Sequence, residues 1–460
     1  MRSKKKSGLS RRDVIKTGSV AAAGALASVT IPQVHAGENN TIQVALIGCG
    51  GRGTGAAADA LRATGGPVRL TAMADVFQNR LDFSYNNLNR EFARQMDVPR
   101  ERRFIGFDAY RRAMDSLRAG DVVIMATPPA FRWAQFSYAI EKRLNVFMEK
   151  PITVDGPSTR RMLALGEAAG RAGLKVGVGL MCRHCDARKE LDQRIRDGAL
   201  GEINLLRAYR MHGPIGFFNS PPKPDNISHL MYQVQRFHSF LWASGGSFSD
   251  FYIHNIDECC WIKGAWPVQA QASGGRHYRG DSVDQNFDTY SVEYTFADGA
   301  KLFLEGRCVL GAHTQFASFA HGSRGSAVIS QSGHHPARCR IYRSQDMTNA
   351  EHITWRYGNR PNAPEANPYQ LEWNHLLDAI RNNRAYNEVA RGAEASLITA
   401  MGRMAAHTGQ IITRDQMLNC QHEFGPNVDR LTNDSEAPLT PLENGKYPVP
   451  QPGALRDREY

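Results

Sequence analysis

Three glycines, Gly48, Gly50 and Gly53, stand at the spacing of a phosphate-cradling loop. They follow a short apolar run (Ile42, Val44, Leu46, Ile47) and lead into a small-residue helical stretch from Gly55 to Arg62. In such a strand–turn–helix unit the first glycine permits the tight bend. The second lets the backbone approach a diphosphate, and the third allows close helix–sheet packing. The helix start adds unpaired N–H groups and a partial positive charge, with Gly51 and Arg52 completing the loop. The spacing alone would say little in a chain with 42 glycines, but Asp75 ends the next apolar run, Val68 to Ala74. A carboxylate there bonds ribose hydroxyls and repels a 2′-phosphate. A tightly held NAD is therefore expected, and Arg80 close by leaves NADP open.

A second constellation lies downstream. Asp250 and His254 are four residues apart and share one face of a helix, and an imidazole accepts protons near neutral pH. The preceding segment, Met211 to Phe240, is long, aromatic and turn-rich, as functional lids are, and it carries His229, Arg236 and His238. Arg183 and His184 follow a strand end and reach toward the same cleft. These five are the candidate substrate contacts. Cys182-Arg183-His184-Cys185 has redox or zinc spacing but lacks a second cysteine pair. A metal set built from His184, His229, His238 and His254 has no local ligand spacing, so no metal is expected.

Positioning these residues requires two kinds of domain. Up to about residue 180, short apolar strands (42–47, 68–74, 121–126, 145–148, 174–179) alternate with helices, which predicts an α/β Rossmann domain with a doubly wound parallel sheet over 37–180. Beyond it, strand-like runs follow one another at 203–210, 268–272, 289–296, 301–307 and 327–330, with a hairpin signal at Asp298-Gly299 and a helix at 248–261. This predicts an α+β domain over 181–422 with a large, mainly antiparallel sheet. Two amphipathic helices, Glu372–Asn382 and Ala393–Thr408, would close it. Residues 423–460, rich in Pro and Asn, are expected to run extended on the surface.

The chain has 460 residues and a net charge of +11, but seven basic residues against Asp13 alone place more than half of that excess in residues 1–36. Without a Lys/Arg block elsewhere, the charge excludes a nucleic-acid partner. Ser10-Arg11-Arg12-Asp13-Val14-Ile15-Lys16, the apolar run Val20–Val29 and Val34-His35-Ala36 have the layout of an export signal and resemble a twin-arginine signal. The run is too short for a stable membrane span. Recognition by the twin-arginine export machinery and a periplasmic or otherwise extracytoplasmic location follow. Eight cysteines are too few for a disulfide framework in a chain of this size, although one or two bridges would be tolerated.

Gly48–Gly53, Ala126-Thr127-Pro128-Pro129, Glu149-Lys150-Pro151, and Gly245-Gly246 followed by Asp250-Phe251-Tyr252-Ile253-His254 together resemble the glucose–fructose oxidoreductase/inositol dehydrogenase/MocA superfamily. The resemblance spans roughly residues 41–415. It implies that Thr127, Pro128, Glu149 and Lys150 join the cofactor site and that Lys150 and His254 carry the chemistry. Lys150 would stabilise an alkoxide or relay its proton, His254 would act as base, and Asp250 would orient the imidazole or bond a second hydroxyl. The expected enzyme is an NAD(P)-dependent oxidoreductase for a sugar, cyclitol or glycoside hydroxyl, assembled as a homo-oligomer, a dimer or tetramer. Two rival readings share the fold. One is a glycosidase that transiently oxidises the sugar, eliminates the aglycone, hydrates and re-reduces the ring. The other is a non-catalytic binding protein, which the intact Lys150, Asp250 and His254 argue against.

Overall fold

The computed structural model describes residues 40–277 and 279–460, so the export signal read in residues 1–36 lies outside the described residues. Six strands, β1 (Ile42–Ile47), β2 (Val68–Asp75), β3 (Arg103–Ile105), β4 (Val122–Met125), β5 (Asn145–Met148) and β6 (Val176–Val178), form one sheet in the order 3-2-1-4-5-6. All pairings are parallel. The near-continuous apolar runs of β4 and β5 fit this architecture, in which helices cover both faces. Those helices are α1 (Gly51–Arg62), α2 (Gln78–Phe92), α3 (Ala109–Asp115), α4 (Arg132–Glu141) and α5 (Gly156–Arg171). Strand β3 is a short edge strand whose Arg-Phe-Ile sequence gave no periodic signal.

After α6 (Asp186–Arg196), and around α7 (His229–Gln235), the chain builds a nine-stranded sheet from β7 (Ile203–His212), β8 (Gln269–Gly275), β9 (Thr289–Thr295), β10 (Lys301–Cys308), β11 (Gln315–Gly322), β12 (Gly325–Gln331), β13 (Arg340–Tyr342), β14 (Ile353–Arg356) and β15 (Ile412–Thr413). Its order is 14-13-12-11-7-10-9-8-15, antiparallel except where β10 runs beside β7. The Asp298-Gly299 turn joins β9 to β10 as a hairpin, with Gly299 at φ 86°. Strands β11, β13, β14 and β15 were not anticipated. Three of them are short, and β11, Gln-Phe-Ala-Ser-Phe-Ala-His-Gly, mixes polar and small residues with its two phenylalanines rather than forming an apolar run. In the middle of β7, Leu206 and Ala208 point to the face covered by α8 (Ile253–Lys263) and α10 (Val389–Thr408), while Leu205, Arg207 and Tyr209 take the other.

The closing helices differ from expectation in two ways. Helix α9 (Pro368–Arg381) packs Trp373, Leu376 and Leu377 into the core of the first sheet, so the chain returns to the Rossmann domain. Helix α10 is buried around nearly its whole circumference rather than amphipathic. Its alanines and glycines permit this; a Cβ at Gly402 would stand 2.0 Å from the Tyr294 hydroxyl. Residues 423–460 form an irregular segment with one 3-10 turn, Val428–Arg430, and do not stay on the surface. Phe424, Leu439 and Tyr447 are buried, and the penultimate residue, Glu459, reaches Arg403 in the interior at 2% exposure. Composition predicted solvation there, and the aromatic anchors overrode it.

Candidate active site

A cavity of about 810 Å³ opens at the carboxyl ends of β1, β2, β4, β5 and β6. That edge is where open parallel sheets bind ligands. Gly48 has φ 91°, and a Cβ on it would stand 2.6 Å from the Ala126 backbone, so the bend needs a residue without a side chain. At Gly53 a Cβ would lie 1.9 Å from the Gly48 carbonyl, the close helix–strand approach expected of the third glycine. Gly50 and Gly51 face open space, where a Cβ would meet nothing within 4 Å. The loop is thus packed on one side and vacant on the side facing the cavity, which fits a diphosphate lying against the start of α1.

Asp75 fixes this loop. Its carboxylate accepts the Cys49 N–H at 2.6 Å and the Phe77 N–H at 2.9 Å. Burial raises its pKa, and the two N–H donors and Arg80 offset part of that rise. Lone pairs remain for ribose hydroxyls on the cavity side. The Arg52 side chain, expected at the cofactor, is held instead by Glu149 at 2.7 Å and Glu372 at 3.3 Å. Its guanidinium is committed, and what it offers a phosphate is its backbone N–H. Thr127 and Pro128 line the cavity, with the Thr127 hydroxyl donating to Gln135 at 2.8 Å.

Lys150 follows β5 into the same cavity. Its Nζ donates to the Asp250 carbonyl at 2.7 Å and to Asp250 Oδ1 at 3.0 Å. The other oxygen, Oδ2, lies 3.0 Å from His238 Nε2. His238 Nδ1 accepts the Phe217 N–H at 3.2 Å, so its proton resides on Nε2 and points at Asp250. Burial opposes charge on Asp250, but Lys150 and His238 outweigh it and hold the carboxyl well below its ordinary range. Asp250 does not orient His254 as expected. The chain passes through a π-helical turn over Phe248–Tyr252 before α8 begins, so the two residues do not keep α-helical phase. Such wide turns are frequent at functional sites.

His254 is 6% exposed, lines the cavity and stands 4.3 Å, ring to ring, from His334. Burial, then His334, Lys150 and Arg210, push its pKa well below the usual imidazole value, so the ring is neutral at physiological pH. Its Nδ1 is buried without a hydrogen-bond partner among the described residues. Cys182, His254 and His334 bring ligand atoms within 4.8 Å of one another, a set able to hold a metal ion. Arg188, Arg210 and Lys150 all bear electrostatically on this cluster and oppose a divalent cation there.

The remaining sequence candidates lie elsewhere. Arg183 forks onto Asp257, with its NH2 at 2.8 Å, and fastens α8. His184 meets His375 at 2.8 Å and Glu388 at 3.3 Å beneath α9. His229 bonds the Tyr447 hydroxyl at 2.8 Å, and Arg236 stands behind Phe217, bonded to Ser220 at 2.9 Å. None of the four lines the cavity. Sequence proximity to a strand end or a lid does not fix the direction of a side chain. All eight cysteines are free, so neither the Cys182–Cys185 pair nor any other forms a bridge. Sequence reading missed Arg210 and His334, which do line the cavity. Arg210 had a readable signal, since it shares the inward register of Leu206 and Ala208 on β7; His334 sits in a loop and had none.

Comparisons with known proteins agree with this geometry. Residues 42–180 match the family model described as the oxidoreductase family with an NAD-binding Rossmann fold, and residues 189–328 match the GFO/IDH/MocA C-terminal domain. The chain is 24% identical over 215 residues to the uncharacterized oxidoreductase YrbE of Bacillus subtilis, covering 46% of this chain and 56% of that protein. It is 24% identical over 168 residues to an inositol 2-dehydrogenase of Corynebacterium glutamicum, covering 36% of this chain and 42% of that protein. The matches thus span about half the length of these curated relatives. The scyllo-inositol dehydrogenase of Lactobacillus casei, solved with NAD(H) and scyllo-inositol, superposes with a TM-score of 0.59 at 21% identity, over 82% of this chain and 99% of that one. Two adjoining domain matches that together cover more than half of the sequence, on a 3-2-1-4-5-6 parallel sheet followed by a nine-stranded sheet, identify the chain as a member of the Gfo/Idh/MocA superfamily with an NAD-binding Rossmann domain.

Proposed function

We propose that this protein is an NAD-dependent oxidoreductase that interconverts a ring hydroxyl of a sugar or cyclitol and the corresponding ketone. The observation that carries the reading is that Lys150, Asp250, His238 and His254 line the same cavity as the glycine-bearing loop and Asp75. Bound NAD supplies the hydride acceptor at its nicotinamide carbon. The chain's own residues handle the hydroxyl. Neutral His254 takes the hydroxyl proton on its cavity-side nitrogen, Nε2, since Nδ1 is buried. The Lys150 ammonium, held by Asp250, stabilises the negative charge developing on the oxygen. In the reverse direction the same proton returns from His254. The relatives named inositol 2-dehydrogenase and scyllo-inositol dehydrogenase support a cyclic polyol as substrate.

The test is a polyol panel with purified protein and NAD, followed by NADH absorbance and by chromogenic glycoside cleavage. NADH formation with at least one sugar or cyclitol supports the proposal. Aglycone release without net NADH would replace it with the oxidation–elimination glycosidase, and silence in both assays would refute it. We also propose export by the twin-arginine route, supported by Arg11-Arg12 and the run that follows, and assembly as a dimer or tetramer. No helix among the described residues is long and apolar enough to cross a membrane. Replacing Arg11 and Arg12 by lysine should strand the protein in the cytoplasm, and light scattering reads the assembly.

A further inference from the structure

Of the five Lys and Arg side chains that line the cavity, four have a hydrogen-bond or ion-pair partner among the described residues. Lys150 is paired with Asp250, Arg52 with Glu149 and Glu372, and Arg80 donates to the Gln235 carbonyl at 2.9 Å. Arg132 donates to the carbonyls of Met125 and Thr127. Arg210 differs. It projects from β7 into the cavity, and burial depresses its pKa. Its guanidinium lies 3.7 Å above the Phe316 ring, and its Nε is buried without a partner among the described residues. An unpaired guanidinium in such surroundings is costly, and a carboxylate or similar anion in planar contact is the group that relieves it.

The position of Arg210 says which ligand that anion belongs to. Arg210 and His334 both pack against the Phe316 ring, at 3.7 and 4.5 Å, and His334 stands 4.3 Å from His254, so Arg210 lies at the reacting end of the cavity. The Lys150–Asp250 pair is neutral as a unit, and His254 and His334 are uncharged. The Arg210 side chain faces this end of the cavity with no ion pair or hydrogen bond among the described residues. We infer that the substrate is an anionic sugar derivative, with a carboxylate or another oxyanion seated on Arg210 while its ring hydroxyl faces Lys150 and His254. Phe316 holds the guanidinium plane from behind, and Arg210 sets specificity for acidic over neutral polyols.

This inference rests on the proposed oxidoreductase reading, and the experiment separates the two. D-Glucuronate and D-galacturonate (carboxylate), glucose 6-phosphate (phosphate), and glucose and myo-inositol (neutral) are compared by calorimetric binding to the NAD-loaded protein and by NADH formation. The inference expects at least one anionic sugar to bind about a hundredfold more tightly than its neutral parent. Arg210→Gln should collapse the ratio of anionic to neutral affinity toward one, and Arg210→Lys should restore part of it. Neutral polyols bound and turned over as well as the acids, or a preference that survives in Arg210→Gln, would overturn the inference and leave the oxidoreductase reading standing. Binding of an acid through Arg210 without NADH formation from any compound would uphold it and refute that reading. A preference for the phosphate over both uronates identifies the oxyanion as phosphoryl.

Discussion

Asp250 turns its carboxylate to His238, twelve residues upstream, with Oδ2 and Nε2 3.0 Å apart. His254, only four residues downstream, receives no hydrogen bond from it. One carboxylate therefore couples His238 to Lys150, and the lysine's aim depends on a histidine from a distant part of the chain. His238→Ala should lower kcat about tenfold to a hundredfold with little change in NAD affinity, as loss of a supporting hydrogen bond does. Steady-state kinetics beside an NAD titration checks this; unchanged kcat would mean that Lys150 and Asp250 hold each other without help.

Much of this site was legible in the sequence, and the failures share a cause. The glycine spacing, Asp75 and the Lys150 position are local signals, readable because a strand–turn–helix unit is built from consecutive residues. The spacing of Asp250 and His254 predicts one shared helical face, but the π-helical turn at Phe248–Tyr252 takes Asp250 out of α-helical phase with His254. His238, named from its aromatic segment, lines the cavity, and Arg210 follows the inward register of β7, whereas His334 reaches the cavity from a loop that no spacing signals. Arg183, His184, His229 and Arg236 are close in sequence to the right elements and face other partners. The penetration of the C-terminus was hidden by its Pro- and Asn-rich composition.

Lys150→Met should reduce turnover by about 10²–10⁴ while NAD still binds, because only the charge on the reacting oxygen loses its support. The pH profile adds a second check. His254 is held neutral by a pKa well below the ordinary imidazole value, so protonation of His254 does not cut kcat/KM until the pH falls well under 6.5. A rate that drops with a midpoint near the unperturbed imidazole value would contradict this assignment.

Asp75→Ala should weaken NAD about tenfold or more and narrow the preference for NAD over NADP, since one carboxylate both fixes Cys49 N–H and faces the ribose position. Parallel titrations with the two cofactors measure it. Equal loss for both would mean that Asp75 only shapes the loop.

Glu459 anchors the C-terminus. It grips buried Arg403 with both oxygens at 2.9 Å, and Arg403 in turn donates to Ser249 at 2.6 Å, beside Asp250, and to the Val154 carbonyl at 2.8 Å. Burial would raise the Glu459 pKa, but Arg403 and His407 outweigh it and hold it at about 2, against 4.5 when unfolded. Its contribution is therefore complete above about pH 4.5 and is lost as the pH falls toward 2. Glu459→Gln should destabilise the protein by about 3–5 kcal/mol at neutral pH, leaving a buried charge unpaired, and should flatten the acid limb of stability against pH. Denaturant melts at pH 7 and pH 3.5 test both parts.

The central claim is that the glycine-bearing bend holds a nicotinamide dinucleotide whose reactive end meets Lys150 and His254. Mass spectrometry of ligand released from the purified protein, with NAD titrated into any ligand-free fraction, tests it most directly. The account predicts NAD or NADH, close to one per chain, in wild type and in Lys150→Met alike. A protein that neither carries nor takes up a nicotinamide dinucleotide would contradict it.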